Sequence, residues 1–293
     1  MNRYLIFRTD RIGDFLITAI LLKSIKKNDP SAHITLIASD KNFSYIETFP
    51  YVNQVIKLEN TLLSKLLLFF KLIKVKYKNI IVHDNKKRSK LISFFLKSKK
   101  KIYLDDTQNI SHIQTIKKIL LKMNFNYSND SLNILDHRKI NQSNDEKYIQ
   151  LHFDEKWIFK DYIDKYINIE PTENELINFF VKLIKKNKKK LIITTGFELP
   201  KIMKNLKPFL AENKVKIYEN LNFFELERIT SHSKLLISCH GAISHVAAAN
   251  NIRQIDVIDK SYNYAKWTDH FRNYNYLHRV VFKELSQKII EIV

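Results

Sequence analysis

Acidic and basic side chains cluster in the stretch RTDRIGDF, directly after the first apolar run of the chain. Asp10 and Asp14 flank Gly13, where an extended pattern changes to a helical one. A carboxylate in this position can accept a proton from a hydroxyl, and it can equally stabilise the first turn of a helix through the helix dipole. The stretch therefore indicates either an ordinary helix start or a loop that approaches a ligand, made by Asp10, Arg11, Gly13 and Asp14.

The chain contains only three glycines, and each follows a predicted strand. Gly13 follows the first strand, Gly196 follows LIITT, and Gly241 lies between LLISC and the helix around SHVAAAN. Glycine in such turns either adopts a positive φ angle or lets the backbone approach a ligand, and helix N-terminal amides favour anions. Because all three glycines lie at predicted strand ends, a role in ligand binding is favoured. The alternative is that they occupy tight turns.

Short apolar runs alternate with helical patterns along the whole chain. This alternation predicts an α/β protein with parallel, doubly wound sheets. In the first half the predicted strands are 4–7, 33–38, 79–83 and 101–104, and the predicted helices are 15–27, 62–74, 86–96 and 113–123. In the second half the predicted strands are 148–153, 191–195, 215–218, 235–239 and 254–258, followed by a last helix over 283–293.

The polar stretch DHRKINQSNDEK, which lacks periodicity, is typical of a linker. We therefore predict two domains, 1–140 and 141–293. Each domain is expected to bind ligands at the carboxyl ends of its strands, as doubly wound sheets do.

Composition predicts a folded protein of a reducing compartment. Hydrophobic residues make up 45% of the chain, and Cys239 is the single cysteine. A lone cysteine forms no disulfide within the chain, and Cys239 is expected to be a small buried hydrophobe rather than a nucleophile. The N-terminal run is broken by charges, and no apolar stretch approaches the roughly 18 residues of a membrane span. These features favour a cytoplasmic location.

The formal net charge is +20, and much of it is concentrated in one segment. Residues 61–101 contain thirteen Lys or Arg and one acid, Asp84, interleaved with LLSKLLLFFKLIKVKYK and LISFFLKSKKK. A basic amphipathic surface suits the headgroup region of an anionic bilayer. The alternatives are a lysine-rich composition bias and core helices with basic outer faces.

Several other chemistries lack their motifs. The sequence has no GxxxxGK(S/T), GxGxxG, HExxH or paired CxxC, which argues against P-loop, dinucleotide and zinc sites. His240 and His245 have no acidic neighbour and make a poor metal pair, so no metal site is predicted. The aromatic residues form no stacking platform with regular basic interleaving, so no nucleic-acid partner is predicted.

Two separated stretches resemble glycosyltransferase family 9, the heptosyltransferase family. RTDRIGDFLITAILLKSIKKNDPSAHITLIAS resembles the opening of that family, and FFELERITSHSKLLISCHGAISHVAAANNIRQIDVI is similar to its donor-site segment. Between them, YKNIIVHDNKKRSKLISFFLKSKKKIYLDD resembles the middle strand–helix–strand, and YIQLHFDEKW resembles the start of the second domain.

The resemblance implies a GT-B architecture of two Rossmann-like domains facing a central cleft. The first domain would bind the acceptor and the second the nucleotide sugar. Asp14 corresponds to the family's general base, and Lys156 to a lysine that contacts the donor diphosphate. Glu198, close after Gly196, is a candidate for the ribose, because a carboxylate accepts hydrogen bonds from two hydroxyls. No cofactor or metal is implied, since the nucleotide sugar is a substrate and lysine with a helix dipole can balance its charge.

The segment HGAISH departs from the family pattern. Where the family has Asp, then Ser or Thr, then Gly, this chain has His240, Gly241 and Ala242, while His245 is kept. Backbone amides can still hold a diphosphate, so Ala242, Ser244 and His245 stay donor-site candidates with Gly241. The histidine at position 240 removes an acid beside the donor, and it therefore bears on donor identity.

Two functions remain open at this stage. The first is an inverting glycosyltransferase that moves a heptose or related sugar from an ADP-heptose-like donor to a lipopolysaccharide or other surface glycan, at the inner face of the cell membrane. The second is a catalytically inactive glycan- or nucleotide-binding relative with the same fold at the membrane surface. Asp14 and Lys156 favour the first, and His240 keeps the second open. A nucleotide-sugar epimerase is a third and weaker idea, because no residue pair is evident as its acid and base.

Overall fold

The computed structural model describes residues 1–59, 61–104, 110–138, 147–157, 169–187, 190–196 and 198–293. The chain divides into two compact units. Unit 1 consists of Met1–His137 and Ala265–His270, and unit 2 consists of Arg138–Tyr264 and Phe271–Val293. No pattern in the sequence predicts that the short segment 265–270 belongs with the first half of the chain.

Unit 1 is built from strand–helix repeats. Its strands are β1 (Arg3–Phe7), β2 (His33–Ala38), β3 (Gln54–Lys57), β4 (Tyr77–Val82) and β5 (Ser98–Tyr103). Its helices are α1 (Ile12–Asn28), α2 (Phe43–Ile46), α3 (Leu62–Ile73), α4 (Lys87–Phe95) and α5 (His112–Lys122), followed by 3₁₀ turns at Asn129–Leu132 and Asp136–Arg138.

Unit 2 repeats the same plan. Its strands are β6 (Tyr148–Phe153), β7 (Leu191–Thr195), β8 (Lys216–Tyr218), β9 (Ser233–Cys239), β10 (Arg253–Ile258) and β11 (Tyr274–His278). Its helices are α6 (Glu173–Asn187), α7 (Lys201–Asn205), α8 (Lys207–Glu212), α9 (Phe223–Ser231), α10 (Ala242–Ala249) and α12 (Phe282–Ile292), with a 3₁₀ turn at Glu155–Trp157. The short helix α11 (Ala265–Thr268) lies in the segment that belongs to unit 1.

Both sheets are parallel and have the Rossmann strand order. The order in unit 1 is β3-β2-β1-β4-β5. The order in unit 2, read from β8, is β8-β7-β6-β9-β10-β11, which is 3-2-1-4-5-6 when its strands are numbered from β6. Such sheets bind ligands outside the carboxyl ends of the strands where the order reverses, here between β1 and β4 and between β6 and β9. The predicted fold class, two doubly wound α/β domains, is confirmed.

Of the four edge strands among the described residues, the sequence pattern missed β3 and β11. Their residues are mostly half-buried or exposed, so they lack the continuous apolar run that marks the central strands. The central strands were found because nearly every residue in them is buried; β1 and β7, for example, are almost entirely closed to solvent. The fold is thus most predictable where the two candidate ligand edges lie.

Candidate functional site

The candidate site of unit 1 lies at the switch point between β1 and β4. The chain leaves β1 at Arg8 and enters α1 at Ile12, so Gly13 and Asp14 occupy the first turn of that helix. None of the three glycines has a positive φ angle. A need for left-handed backbone therefore does not explain Gly13, and close approach of a ligand stays a prediction.

Arg8, which sequence reasoning did not assign to the site, holds this edge together. Its side chain is buried, and its guanidinium donates to the carbonyl of His83 at 2.6 Å and to that of Asp14 at 2.8 and 3.0 Å. The carboxylates of Asp10 and Asp14 lie 3.3 and 3.7 Å from the same guanidinium. One buried cation thus ties the end of β4 to the first turn of α1. In the sequence, the position of Arg8 at the start of RTDRIGD was the one feature that could have indicated this role.

Asp14 contacts the start of α1 and remains partly exposed. One carboxylate oxygen accepts a long hydrogen bond, 3.4 Å, from the backbone N–H of Arg11 at the N-cap position of α1. The other oxygen faces Arg8, and the side chain is 33% exposed. A partly exposed carboxylate fixed at two points can still reach a substrate hydroxyl. Helix capping therefore does not exclude a role as base.

The remaining loop residues are held by charges. Lys86 contacts the Asp10 carboxylate at 2.5 Å and donates to the carbonyl of Thr9 at 2.9 Å. Buried Asp84 accepts from the hydroxyls of Thr9 at 2.6 Å and Ser89 at 2.8 Å. Asp10 thus shapes the loop through ion pairs, while Arg11 is exposed at the helix start.

Two uncharged imidazoles lie close to this edge. His83 follows β4, and its Nδ1 lies 2.8 Å from the hydroxyl of Thr18. Burial, reinforced by Arg8, holds the pKa of His83 well below its ordinary value. Burial and then Arg8 also lower the pKa of His112 to about 4. His112 packs against Trp267 with the rings tilted and their centroids 5.3 Å apart, so residues 265–270 complete this part of unit 1.

The candidate site of unit 2 lies at the switch point between β6 and β9. Lys156 follows β6, and its Nζ lies 2.9 Å from buried Asp154 and donates to the carbonyl of His240 at 3.2 Å. His240 and Gly241 follow β9 and lead into α10. Lys156, His240 and Gly241, chosen from separate stretches of sequence, are therefore brought together.

Gly241 and Gly196 are both positions where a side chain would collide. A Cβ at Gly241 would lie 2.7 Å from Lys156 Nζ, and one at Gly196 would lie 2.4 Å from a carboxylate oxygen of Glu155. Both colliding atoms end flexible side chains, so a substitution would displace the lysine or the glutamate rather than the backbone. The absence of a side chain at 241 thus keeps the ammonium group at the start of α10.

His240 has an acidic neighbour, contrary to the sequence prediction. Its Nδ1 lies 2.8 Å from an oxygen of Asp256, which is fully buried on β10. The other oxygen of Asp256 accepts from the hydroxyls of Ser238 at 2.9 Å and Ser244 at 2.8 Å. The acid comes from the adjacent strand, sixteen residues away in sequence, so inspection of neighbouring residues could not find it.

The other donor-site candidates differ in how closely they join this group. Ser244 is buried in α10 and its hydroxyl accepts from the N–H of Gly241 at 3.3 Å. His245 is buried with its ring 5.6 Å from that of His240, and Ala242 begins α10. Glu198 is exposed, and no contact among the described residues joins it to Lys156 or Gly241.

Cys239 is buried at the end of β9, and burial followed by the nearby Asp154 raises the pKa of its thiol to about 12. The thiol is therefore protonated at neutral pH and is a poor nucleophile. Among the described residues, no three His, Cys, Asp or Glu side chains group as metal ligands.

Comparisons with known proteins show the fold. No protein-family model matches the sequence, and a comparison with curated proteins gives no match either. Among solved structures, the E. coli heptosyltransferase WaaC with ADP aligns with a TM-score of 0.73 and 13% identity over 99% of this chain and 100% of that one. A glycosyl transferase family 9 protein from Veillonella parvula aligns with a TM-score of 0.69 and 11% identity, over 100% and 90% of the two chains.

The same fold also occurs outside the transferases. A UDP-GlcNAc 2-epimerase from Methanocaldococcus jannaschii aligns with a TM-score of 0.57 and 14% identity, over 99% of this chain and 92% of that one. Identities this low establish architecture rather than activity. The predicted resemblance is confirmed at that level: the chain has the GT-B fold of the family 9 heptosyltransferases.

Proposed function

We propose that the protein is an inverting, metal-independent glycosyltransferase. It moves a heptose or related sugar from an ADP-heptose-like donor to a lipopolysaccharide or other surface-glycan acceptor. The observation that carries the proposal is the ammonium group of Lys156, held 3.2 Å from the His240 carbonyl where α10 begins. A cation beside the N-terminus of a helix at a switch point suits a diphosphate. The E. coli WaaC structures with ADP and with ADP-2-deoxy-2-fluoro heptose support a donor of this class.

In the proposed reaction, unit 1 binds the acceptor and unit 2 binds the nucleotide sugar. Asp14 accepts the proton of an acceptor hydroxyl while that oxygen attacks the anomeric carbon. The bond from the anomeric carbon to the phosphate oxygen breaks, and the nucleoside diphosphate leaves. Lys156 and the amides at the start of α10 stabilise the negative charge that the leaving group gains.

Nucleotide binding is the first test. ADP should raise the melting temperature of the parent protein, because a ligand at a hundred times its Kd stabilises by about 2.7 kcal/mol. Lys156→Ala should weaken ADP binding roughly 10- to 100-fold, as expected for loss of a charged hydrogen bond. Gly241→Val should weaken it similarly, because its side chain displaces the lysine. Lys283→Ala, an exposed lysine on α12, is the matched control and should leave affinity unchanged.

Calorimetric titration with ADP, UDP and their sugars measures these affinities. A parent protein that binds none of them contradicts the proposed donor site. Binding that survives both substitutions would mean that the nucleotide lies elsewhere. Donor binding without release of nucleoside diphosphate on addition of glycan acceptors would favour the alternative, a catalytically inactive binding relative. Conversion of a UDP-sugar to its epimer would favour the epimerase instead.

We also propose a peripheral contact between unit 1 and the inner face of an anionic membrane. No helix among the described residues is long and apolar enough to span a bilayer. However, α3 and α4 expose large apolar side chains, each between 45% and 74% accessible: Leu62, Leu63, Leu66, Leu67, Phe70, Leu91, Phe94 and Phe95. We call this set the α3–α4 face. Contiguous exposed apolar surface of this kind marks an interaction site.

The charge around the α3–α4 face indicates the partner. Phe69 and Phe95 have ring centroids 6.2 Å apart, so the two helices present one surface. Neither helix contains an acidic residue, and together they carry Lys65, Lys71, Lys87 and Lys90, besides Arg88, which donates to the Thr9 hydroxyl. Apolar side chains among lysines match the acyl boundary and the anionic headgroups of a bilayer. The sequence alternative of core helices with merely basic outer faces does not account for the exposed leucines and phenylalanines.

A further inference from the structure

Asp256 is a buried carboxylate that the proposed function leaves unused. It lies in the middle of β10 and is completely inaccessible to solvent. It accepts three hydrogen bonds, from Ser238 at 2.9 Å, from Ser244 at 2.8 Å and from His240 at 2.8 Å. Burial of a carboxylate is costly unless such donors satisfy it. The side chains of two serines and one histidine thus satisfy this buried carboxylate.

The carboxylate determines which nitrogen of His240 carries the proton. An ionised carboxylate only accepts, so Nδ1 of His240 must donate to it. Nε2 lies on the opposite edge of the ring, and no hydrogen bond from a described residue reaches it. In the tautomer protonated at Nδ1 alone, Nε2 is therefore an acceptor. The side chain is 11% exposed, so the ring is held firmly without being closed off.

The surroundings of His240 separate two kinds of ligand chemistry. Lys156 Nζ contacts the backbone carbonyl of His240, on the side of the Gly241 turn. The imidazole itself packs edge-on near the ring of Tyr264, with centroids 5.0 Å apart, and has Asp256 behind it. Lys156 also pairs with buried Asp154 at 2.9 Å, so the two places differ in the cation: a phosphate meets an ammonium group beside the Gly241 turn, whereas the His240 ring has only a buried carboxylate behind it. A hydroxyl that donates a hydrogen bond suits the acceptor Nε2.

We propose that Asp256 is a positioning residue of the donor site, which holds His240 so that Nε2 accepts a hydrogen bond from a hydroxyl of the transferred sugar. This inference rests on the proposed nucleotide-sugar site. It also explains how this chain functions without the acid found at position 240 in the resembling family. A carboxylate at 240 would lie beside the fully buried carboxylate of Asp256, and two adjacent carboxylates repel each other. The residues at 240 and 256 therefore constitute one specificity unit.

His240→Asn tests the contact without disturbing the carboxylate. The amide nitrogen of asparagine takes the place of Nδ1 and can still donate to Asp256, whereas the Nε2 edge is lost. Each protein is titrated with ADP and ADP-heptose and with UDP and UDP-glucose, so that the affinity for each nucleotide is compared with that for its sugar derivative. We expect His240→Asn to leave nucleoside diphosphate affinity within about twofold and to weaken the preferred nucleotide sugar roughly three- to tenfold, the effect of one lost hydrogen bond.

Asp256→Asn tests the positioning role by spectroscopy. Its amide N–H would face Nδ1 of His240, so the ring proton should move to Nε2 and the acceptor edge should be lost. Nitrogen-15 spectra of the ring, with the His240 signals identified by their absence in His240→Asn, should show protonated Nδ1 in the parent and protonated Nε2 in Asp256→Asn. A purely structural role for Asp256 predicts no such exchange. A parent with protonated Nε2 contradicts the inference directly.

Stability measurements test the pairing of the two positions. His240→Asp should lower the melting temperature by several degrees, and His240→Asp with Asp256→Asn should recover most of that loss, because only one carboxylate then remains. If the melting-temperature changes of the two single variants simply add up to the change in the double variant, the pairing is contradicted. A parent that binds no probe refutes the proposed function and this inference together. An equal loss of ADP and ADP-heptose binding in His240→Asn refutes only the inference.

Discussion

Asp14 is held by two neighbours with different consequences. The N–H of Arg11 contacts one oxygen at 3.4 Å, and the guanidinium of Arg8 lies 3.7 Å from the other. The first contact stabilises the start of α1, and the second orients the carboxylate. Both contacts are long, so a substrate hydroxyl can compete for either oxygen.

Asp14→Asn separates catalysis from helix stability. The amide oxygen can still accept from Arg11, so the melting temperature should change little. Turnover should fall roughly 10²-fold or more, because an amide does not accept the acceptor's proton. ADP affinity should be unchanged, since Lys156 and Gly241 lie in unit 2. Initial rates and calorimetry measure the two quantities.

Asp40→Asn is the matched control for that experiment. Asp40 is an exposed carboxylate of unit 1, paired with Lys57 at 2.5 Å. Its substitution should leave turnover unchanged. Near-normal turnover of Asp14→Asn would remove the assignment as base, and a large loss of stability with normal turnover per folded molecule would restore helix capping as its main role.

At the level of elements, α3 and α4 present an apolar surface that a water-exposed monomer rarely retains. Several lysines of the predicted basic segment do not belong to it. Lys86 is engaged with Asp10 and Thr9, and Arg88 donates to the hydroxyl of Thr9 at 3.2 Å. The basic segment thus divides into residues that hold the unit 1 loop and residues that surround the α3–α4 face.

The combined variant Leu67→Ser, Phe70→Ser and Phe94→Ser should reduce binding to vesicles of phosphatidylcholine and phosphatidylglycerol tenfold or more. Each inserted side chain contributes on the order of 1–3 kcal/mol. Lys65→Glu, Lys71→Glu and Lys87→Glu together should also weaken binding, and salt should weaken the parent only in part, because apolar insertion is not screened. Cosedimentation at several salt concentrations measures both effects.

The control for the apolar variant replaces Leu121 and Val281 by serine, since both are exposed apolar residues outside the α3–α4 face. It should bind vesicles as the parent does. Equal binding to purely zwitterionic vesicles would contradict the anionic partner. A parent that is dimeric by light scattering, with a monomeric serine variant and no vesicle binding, would identify a second copy of the chain as the occupant instead.

At the scale of the whole molecule, buried histidines make stability depend on pH. Burial lowers the pKa of His112 and of His152 to about 4, and it holds that of His83 well below the ordinary value. The ordinary histidine pKa is about 6.5, so the unfolded chain binds more protons than the folded one between these values. Stability is therefore greatest above pH 6.5 and is lost as the pH falls towards 4.

For His152 alone, the free energy of unfolding should fall by roughly 3 kcal/mol. This figure follows from the difference between its pKa in the unfolded chain, about 6.5, and that in the folded protein, about 4. Urea unfolding at pH 7, 5.5 and 4.5 measures it. His152→Gln, which retains a side-chain amide opposite Thr194, should flatten part of the pH dependence. Constant stability between pH 6.5 and 4.5 would contradict the burial of these imidazoles as uncharged groups.

The sequence determined the repeating elements and the two ligand edges. Central strands of a parallel sheet are buried on both faces, so β1, β4, β6 and β9 are short, largely apolar segments that can be recognised locally. The residues that follow them are fixed by chain order, which is why Asp14, Lys156 and Gly241 could be placed at the ends of these strands from the sequence. The edge strands β3 and β11 carry no such run and were therefore missed, whereas the edge strands β5 and β8 were predicted over 101–104 and 215–218.

Only the tertiary structure decided which side chains meet across strands. Asp256 reaches His240 because β10 pairs with β9 in parallel register, with Asp256 opposite Ser238. Arg8 joins the end of β4 to α1, and residues 265–270 join unit 1 from far along the chain. Such contacts depend on strand order and register, which local periodicity does not encode, because a hydrophobic pattern specifies which face is buried and not which neighbour lies beside it.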